Sequence, residues 1–306
     1  MEHQILVPLD GSTGAESALA AAIALARATR NHLHLLQVVR QEPAADGGEQ
    51  FQQAHAYLRS VAWRLRPEFP TIQRTVLAGD PVAAITAFAD THPAVCEIAM
   101  ATHGWSGGRS GMLGSVAEQV VQHSPVPVLL TRINSRAPLP QTARDLTTLL
   151  VPLDGSRLAE EALGFASNLA QQHGAAIVLL AVIGFMDDLG SPGAIPLWAL
   201  SGAPEVREQA QVYLEATAAI LRHEGLKVKT LVVEGSAAPA IVAAGAKAGA
   251  DMLLMTTHGW SGLRQRWMGT TVASVVRSSS IPVMLFRPFD DLEPQVTIPA
   301  LVAQTA

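Results

Sequence analysis

A chain of 306 residues is long for one α/β domain and comfortable for two. Its 49% hydrophobic and 15% charged residues are typical of a well-buried globular protein and exclude an intrinsically disordered one. A net charge of −5 argues against a nucleic-acid surface, and no apolar run reaches the roughly 18 residues of a membrane span. We therefore expect neither nucleic acid nor a membrane as a partner.

The single cysteine, Cys96, excludes an internal disulfide and is consistent with a reducing compartment. The first ten residues show no basic region followed by an apolar stretch, so no secretory signal is visible. The cytoplasm is therefore the expected location. Because the ten histidines show no zinc-site spacing, no metal site is expected.

The chain opens with a short apolar run at 5–9 that ends in Asp10-Gly11-Ser12. This pattern is typical of a buried parallel strand followed by a turn. The same pattern returns at 149–153, followed by Asp154-Gly155-Ser156. An internal repeat is the simplest explanation, with two similar halves in one chain.

The segments after each copy alternate between amphipathic helices and short apolar strands. A helix is predicted at 15–30 and 157–173, a strand at 33–39 and 176–183, a helix at 50–66 and 205–224, and a strand at 72–77 and 228–233. Thr13 and Glu16 predict a capping box at the first helix. Such alternation favours a parallel sheet with helices on both faces. The predicted divisions are half one at 1–132, a linker at 133–145, half two at 146–288 and a tail at 289–306.

A second repeat covers 95–131 and 250–286, each copy with a strand, a Gly-containing loop, a helix and a closing strand. Backbone N–H groups and a helix N-terminus in this layout can hold a phosphate. Ser115 and Glu118 predict a capping box where the first of these helices begins.

Three loops of each half should meet where the strand order of the sheet reverses, which is where ligands bind in such sheets. There Asp10 or Asp154 could accept hydrogen bonds from a ribose diol, and Val38 or Val182 could pack on a base. Each aspartate could instead be an ordinary helix N-cap. His103 and His258 are interpreted as residues that order the loop rather than as catalytic groups. The loop arginines Arg109, Arg264 and Arg266 could reach phosphates or be solvated, and Trp105 and Trp260 could be exposed packing residues or a lid.

The combination resembles the universal stress protein family, in its tandem two-domain and nucleotide-binding form. That family carries G-x2-G-x9-G-[S/T] after its fourth strand. Gly104-x9-Gly114-Ser115 and Gly259-x9-Gly269-Thr270 match the last three elements. Ala101 and Thr256 stand where the first glycine of the family motif would be.

The resemblance implies an α/β fold of two tandem doubly wound parallel-sheet domains, Rossmann-like and of the adenine nucleotide alpha hydrolase-like class. It also implies that the halves pack as an internal pseudo-dimer through the closing strands at 126–130 and 281–286, with a homodimer as a further assembly. The implied ligand is ATP, AMP or ADP, with Mg²⁺ as a companion ion. The implied nucleotide-binding residues are Pro8, Leu9, Asp10, Val38, Ala101, Gly104, Gly114, Ser115 and Val116 in half one, and Pro152, Leu153, Asp154, Val182, Thr256, Gly259, Gly269, Thr270 and Thr271 in half two.

Neither half contains a P-loop or a clear acidic pair for Mg²⁺, so efficient ATP hydrolysis is not expected. The leading hypothesis is a sensor or regulatory binding module of a stress response. The alternatives are a slow nucleotide hydrolase or transferase, and a scaffold that has lost its ligand in one or both halves. Because Gly107, Gly108 and Gly111 keep the first loop small, half one is predicted to hold the tighter site.

Overall fold

The computed structural model describes residues 3–40, 48–69, 71–103, 113–132, 146–184, 205–257 and 268–287. The predicted linker, the predicted tail and most of both Gly loops lie outside these residues. Gly104, Gly259, His258, the loop arginines and the loop tryptophans are therefore left as sequence predictions.

Each half alternates strands and helices as the sequence predicts. Half one contains β1 (Gln4–Pro8), α1 (Thr13–Glu16), α2 (Ala18–Thr29), β2 (His32–Val39), α3 (Glu49–Leu65), β3 (Ile72–Ala78), α4 (Pro81–Thr91), β4 (Val95–Ala101), α5 (Ser115–His123) and β5 (Val128–Thr131). Half two contains β6 (Thr148–Pro152), α6 (Arg157–His173), β7 (Ala176–Ile183), α7 (Glu205–His223), β8 (Lys227–Glu234), α8 (Ala237–Ala248), β9 (Met252–Thr256), α9 (Thr270–Ser278) and β10 (Val283–Phe286).

The strands form one sheet of ten, in the order β3-β2-β1-β4-β5-β10-β9-β6-β7-β8. Neighbours within each half are parallel, as their short apolar runs and intervening helices predict. In both halves the order reverses beside the first strand, between β1 and β4 and between β6 and β9. The α/β fold with doubly wound parallel halves is therefore confirmed.

The two halves meet where β5 and β10 pair in antiparallel register. Leu129 lies opposite Met284, and both side chains are fully buried. An unpaired apolar strand at a sheet edge is a template for aggregation, and this pairing removes one such edge from each half. The closing strands that the sequence singled out are thus the strands that join.

Two apolar cores lie on opposite faces of the sheet, and each contains residues of both halves. One core is covered by α2, α3, α6 and α7, and the other by α4, α5, α8 and α9. Across the boundary between the halves, α2 packs on α6. Close to this boundary, the ring centroids of Phe165 and Phe286, both in half two, lie 5.1 Å apart. Continuous cores of this kind favour unfolding of the two halves together.

The first helix differs from its prediction. It is broken at Ser17, whose N–H and Oγ both donate to the carbonyl of Gly14. Ser12 is the N-cap, and its Oγ accepts from the N–H of Ala15 at 3.0 Å. The predicted capping box of Thr13 and Glu16 is therefore wrong. Glu16 instead contacts α3, where it accepts from Tyr57 Oη–H at 3.1 Å and pairs with an arginine.

Among the helices of the described segments, none combines the length and the apolar character that a membrane crossing requires. Cys96 lies half-buried in β4, and its thiol donates to Glu97 Oε2 at 2.7 Å. Burial, together with the neighbouring carboxyl of Glu97, raises the pKa of the Cys96 thiol well above its usual range. The thiol is therefore protonated and a poor nucleophile.

Candidate functional site

A cleft of about 450 Å³ opens in half one at the carboxyl ends of β1, β2 and β4. It lies where the strand order reverses, between β1 and β4, and the start of α5 closes one side. Ligands of open parallel sheets bind at this position, because the loops leaving neighbouring strands diverge there.

The cleft brings together the described members of the predicted site in half one, which come from four separate segments of the chain. They are Pro8, Leu9, Asp10, Val38, Ala101, Gly114, Ser115 and Val116. Ala101, which replaces the family's first loop glycine, is the last residue of β4 and is buried.

The Asp10 carboxylate is exposed at the edge of the cleft and is held by a tight turn. Ser12 donates to Asp10 Oδ1 through its backbone N–H at 2.9 Å and through its hydroxyl at 2.6 Å. Gly11 has a φ of 88°, a conformation that strongly favours glycine. Because Ser12 caps the helix, the alternative of Asp10 as the N-cap is wrong. The turn instead orients the carboxylate beside the cleft.

The N-terminus of α5 lines the opposite side of the cleft. Gly114 is its N-cap, and the N–H of Gly114 donates to the carbonyl of Thr102 at 2.8 Å. A Cβ at Gly114 would lie 2.9 Å from that carbonyl oxygen, so a larger residue would push the two backbone segments apart. The glycine thus allows the chain to close against the end of β4.

The capping box predicted for Ser115 and Glu118 is wrong, because Gly114 rather than Ser115 is the N-cap. A glycine has no side chain with which to accept from the first N–H groups of the helix. Ser115 and Val116, in the first turn of α5, line the cleft. An anion there would face the positive end of the helix dipole, as at other phosphate-binding helix N-termini.

The wall between these two polar ends is apolar. Leu36 and Val38 of β2, Met100 of β4 and Pro81 and Ile85 of α4 contribute to it. Apolar pockets with a few polar groups at their ends are the usual form of small-molecule sites. The arrangement suits a ligand with a flat ring in the middle and polar groups at both ends.

The sequence did not predict several residues that line the cleft, which are Ala15, Leu36, Arg40, Met100, Thr102 and Ala117, together with Pro81 and Ile85 of α4. Arg40 is exposed and follows β2 directly, so the rule that selected Asp10 after β1 could also have found it. Pro81 and Ile85 gave no such signal, because helix α4 reaches the cleft only through its packing on the sheet.

His103 lines the cleft, with Nδ1 3.2 Å from Thr102 Oγ1 and with Nε2 lacking a hydrogen-bond partner among the described residues. In the described segments, no group of three or more His, Cys, Asp and Glu side chains could hold a metal ion.

Half two places its predicted residues at equivalent positions. They are Pro152, Leu153 and Asp154 at and after the end of β6, Val182 in β7, Thr256 at the end of β9, and Gly269, Thr270 and Thr271 at the start of α9. Ser156 donates to Asp154 Oδ1 at 3.0 and 2.5 Å and caps α6, so the N-cap alternative is also wrong for Asp154.

The two helix starts are not identical. Gly269 caps α9 and donates to the carbonyl of Thr257 at 3.0 Å. A Cβ at Gly269 would lie 3.5 Å from that oxygen, an ordinary contact, whereas the corresponding distance at Gly114 is 2.9 Å. The backbone is therefore packed more tightly at the start of α5 than at the start of α9.

Comparison with known proteins agrees with this architecture. The model of the universal stress protein family matches residues 1–132 and again residues 146–287. The chain therefore belongs to the universal stress protein family, with one copy of the domain in each half.

Individual relatives are distant. Universal stress protein MJ0531 of Methanocaldococcus jannaschii is 28% identical over 139 residues, which are 45% of this chain and 81% of that protein. Universal stress protein Slr1230 of Synechocystis is 30% identical over 178 residues, which are 58% of this chain and 52% of that protein. A universal stress protein from Archaeoglobus fulgidus has the same fold, with a TM-score of 0.68 at 21% identity over 94% of this chain and 97% of that one.

Proposed function

We propose that the cleft of half one binds an adenine nucleotide and that the protein acts as a nucleotide-responsive regulatory module of a stress response. The observation that carries this proposal is the cleft itself. A turn-held carboxylate, an apolar wall and the N-terminus of α5 line one cavity of about 450 Å³ at the strand-order reversal. These three features match the ribose, the base and the phosphates of one ligand.

Each part of the ligand has an assigned partner. The Asp10 carboxylate accepts from the ribose hydroxyls, and Val38 packs on the base. The phosphates lie at the first turn of α5, where the backbone N–H groups and the hydroxyl of Ser115 donate to them. Arg40, at the same cleft, adds a positive charge that complements a phosphorylated ligand. ATP, ADP and AMP all fit this assignment, and Mg²⁺ enters it only as an ion carried by the phosphates.

Half two supports a second, weaker site by its equivalent positions. Asp154 is held by Ser156 as Asp10 is by Ser12, and Gly269 caps α9 as Gly114 caps α5. The larger Thr256 replaces Ala101 at the end of the fourth strand of that half. We infer that the halves work as an intramolecular pseudo-dimer, since their sheet and both of their cores are shared.

Substitution of Ser115 by glutamate should weaken ATP binding to half one by about tenfold or more, because a carboxylate would replace a hydroxyl beside the phosphates. Ser115 is exposed in the first turn of α5, where a glutamate stabilises a helix, so the fold should be retained. Isothermal titration with ATP provides the measurement.

The matched variant Ser115→Gln has the same size without the charge and should bind within about threefold of the parent. Thr270→Glu should remove only the weaker phase. If Ser115→Glu binds ATP as tightly as Ser115→Gln does, the phosphates do not lie at α5. If Thr270→Glu removes the tight phase instead, half two holds the stronger site.

A further inference from the structure

A second cavity, of about 570 Å³, lies between the C-terminal end of α3 and the start of β3, at the outer edge of the sheet. We name it the α3–β3 groove. It shares no lining residue with the cleft described above. Its lining residues are Arg59, Ser60, Ala62, Trp63, Arg66, Phe69, Thr71, Ile72 and Arg74.

Arg59, Arg66 and Arg74 are exposed and line one groove, where like charges favour binding of an anion. In the described segments, the side chains of Arg59, Arg66 and Arg74 form no salt bridge and no hydrogen bond. The nearby carboxylate of Glu68 is engaged elsewhere, with Arg27 Nη2 at 2.6 Å. The groove therefore concentrates positive charge on a protein whose net charge is −5.

Half two provides an internal comparison, because its helix and strand can be matched to those of half one by their contacts. Tyr57 of α3 donates to Glu16 in half one, and Tyr213 of α7 donates to Glu160 in half two. These two tyrosines are therefore equivalent. The strands match by register, since Arg74 pairs with Leu35 and Thr230 pairs with Leu179.

This match places Glu215, Arg222 and Thr230 of half two where half one has Arg59, Arg66 and Arg74. In half two, the charge of Arg222 is balanced by the carboxylate of Glu215. Arg222 Nη1 lies 2.8 Å from Glu215 Oε2, and the hydroxyl of Thr230 donates to Glu215 Oε1 at 2.5 Å. In half one, an arginine takes the place of that carboxylate and a second arginine takes the place of the threonine.

The same comparison concerns the aromatic side chain. Trp63 is 73% exposed beside the arginines, and its half-two equivalent is Ala219. An exposed tryptophan face can stack on a flat ring, and arginine forks bind phosphate oxygens in pairs. The groove thus offers both contacts to one ligand.

We propose that the α3–β3 groove of half one is a second ligand site, which takes a small phosphorylated compound that carries a flat ring. Its phosphate supplies the negative charge that Glu215 supplies in half two. The ring lies against Trp63, with Phe69 beside it. Half two lacks the site, because its own carboxylate occupies the equivalent place among the described residues.

The probe is 1-naphthyl phosphate, added to the full-length protein and followed by isothermal titration, with 1-naphthol as the uncharged reference. The double variant Arg59→Glu and Arg74→Thr introduces the residues found at the equivalent positions of half two. It should raise the Kd for 1-naphthyl phosphate by about tenfold or more. Lys247→Glu with Lys229→Thr makes the same change in net charge at exposed positions of half two and should leave the Kd unchanged. Because the half-one cleft also suits a ring with a phosphate, each titration is repeated in the Ser115→Glu background, where binding of the probe at the α3–β3 groove should remain.

Two further variants test the same groove if the double variant folds poorly. Trp63→Ala should weaken 1-naphthyl phosphate but not inorganic pyrophosphate, which has no ring. Glu215→Arg with Ala219→Trp and Thr230→Arg should create a second equivalent of binding in half two. The proposal is overturned if the parent protein does not bind the probe, if the charge control loses binding equally, or if Ser115→Glu is what abolishes it.

Discussion

Substitution of Leu129 by aspartate should destabilise both halves together, by about 4 kcal/mol or more. Leu129 is fully buried at the junction of the two halves, in register with the equally buried Met284. An aspartate there loses the apolar contacts of the leucine and places an unpaired carboxylate in the shared core. Chemical denaturation followed by circular dichroism measures the loss.

The matched control is Arg132→Asp, which adds a carboxylate three residues further on, at an exposed position just beyond β5. It should change the free energy of unfolding by no more than about 0.5 kcal/mol. The parent protein should unfold in a single transition, because both apolar cores extend through both halves. Two resolved transitions in the parent would show that the halves unfold independently, and equal stability of the two variants would contradict the burial of Leu129 at the junction.

Acidification should weaken the fold through His34, which is 4% exposed in β2. Desolvation by burial, with a smaller contribution from the nearby His92, lowers the pKa of His34 from 6.5 to about 4. Its Nδ1 lies 3.0 Å from Gln4 Oε1 and its Nε2 lies 2.8 Å from Thr75 Oγ1. Because an amide oxygen can only accept, the neutral ring donates through Nδ1 and accepts from Thr75 through Nε2. The folded state thus favours the uncharged ring.

The direction of the pH effect follows from which state binds the proton. Between about pH 6.5 and pH 4 the unfolded chain binds a proton at His34 that the folded protein does not. The contribution of His34 to stability is therefore complete above pH 6.5 and is lost as the pH falls towards 4. At about 1.4 kcal/mol per pKa unit, the total loss is about 3 kcal/mol.

Carboxyl groups also titrate in this range, so the difference between two variants is the useful quantity. His34→Gln removes the titrating ring and should flatten the pH dependence of the unfolding free energy between pH 4 and 6.5. His55→Gln makes the same substitution at an exposed position of α3 and is the matched control. A parent and a His34→Gln variant with parallel pH profiles would contradict the assignment.

Much of this architecture is predictable because it depends on local patterns that occur twice. Short apolar runs followed by Asp-Gly-Ser, such as the one before Asp10 and the one before Asp154, indicate buried strands that end at the same edge of a sheet. Strand-order reversal then predicts that the residues after β1, β2 and β4 meet, and the described residues of half one do line one cleft.

The remaining features depend on tertiary contacts that select one of several locally possible structures. Ser12 and Thr13 are both good N-caps, and only the turn at Gly11 decides in favour of Ser12. Ser115 has the right chemistry for a cap, but the close approach of Gly114 to the end of β4 places the cap one residue earlier. The α3–β3 groove is lined by a helix and a strand, and the sequence does not show that Arg59 and Arg74 line the same cavity.

The half-one cleft of this universal stress protein is proposed to hold an adenine nucleotide. Native mass spectrometry of the full-length protein, equilibrated with ATP and then desalted, tests it most directly. We expect a mass increase of one nucleotide at low ATP concentration and of two at high concentration. The nucleotide released on denaturation should be largely intact ATP, because neither half contains a P-loop or a clear acidic pair for Mg²⁺. A protein that shows no added mass at millimolar ATP would contradict nucleotide binding, and one that returns only hydrolysed product would contradict a binding module without rapid turnover.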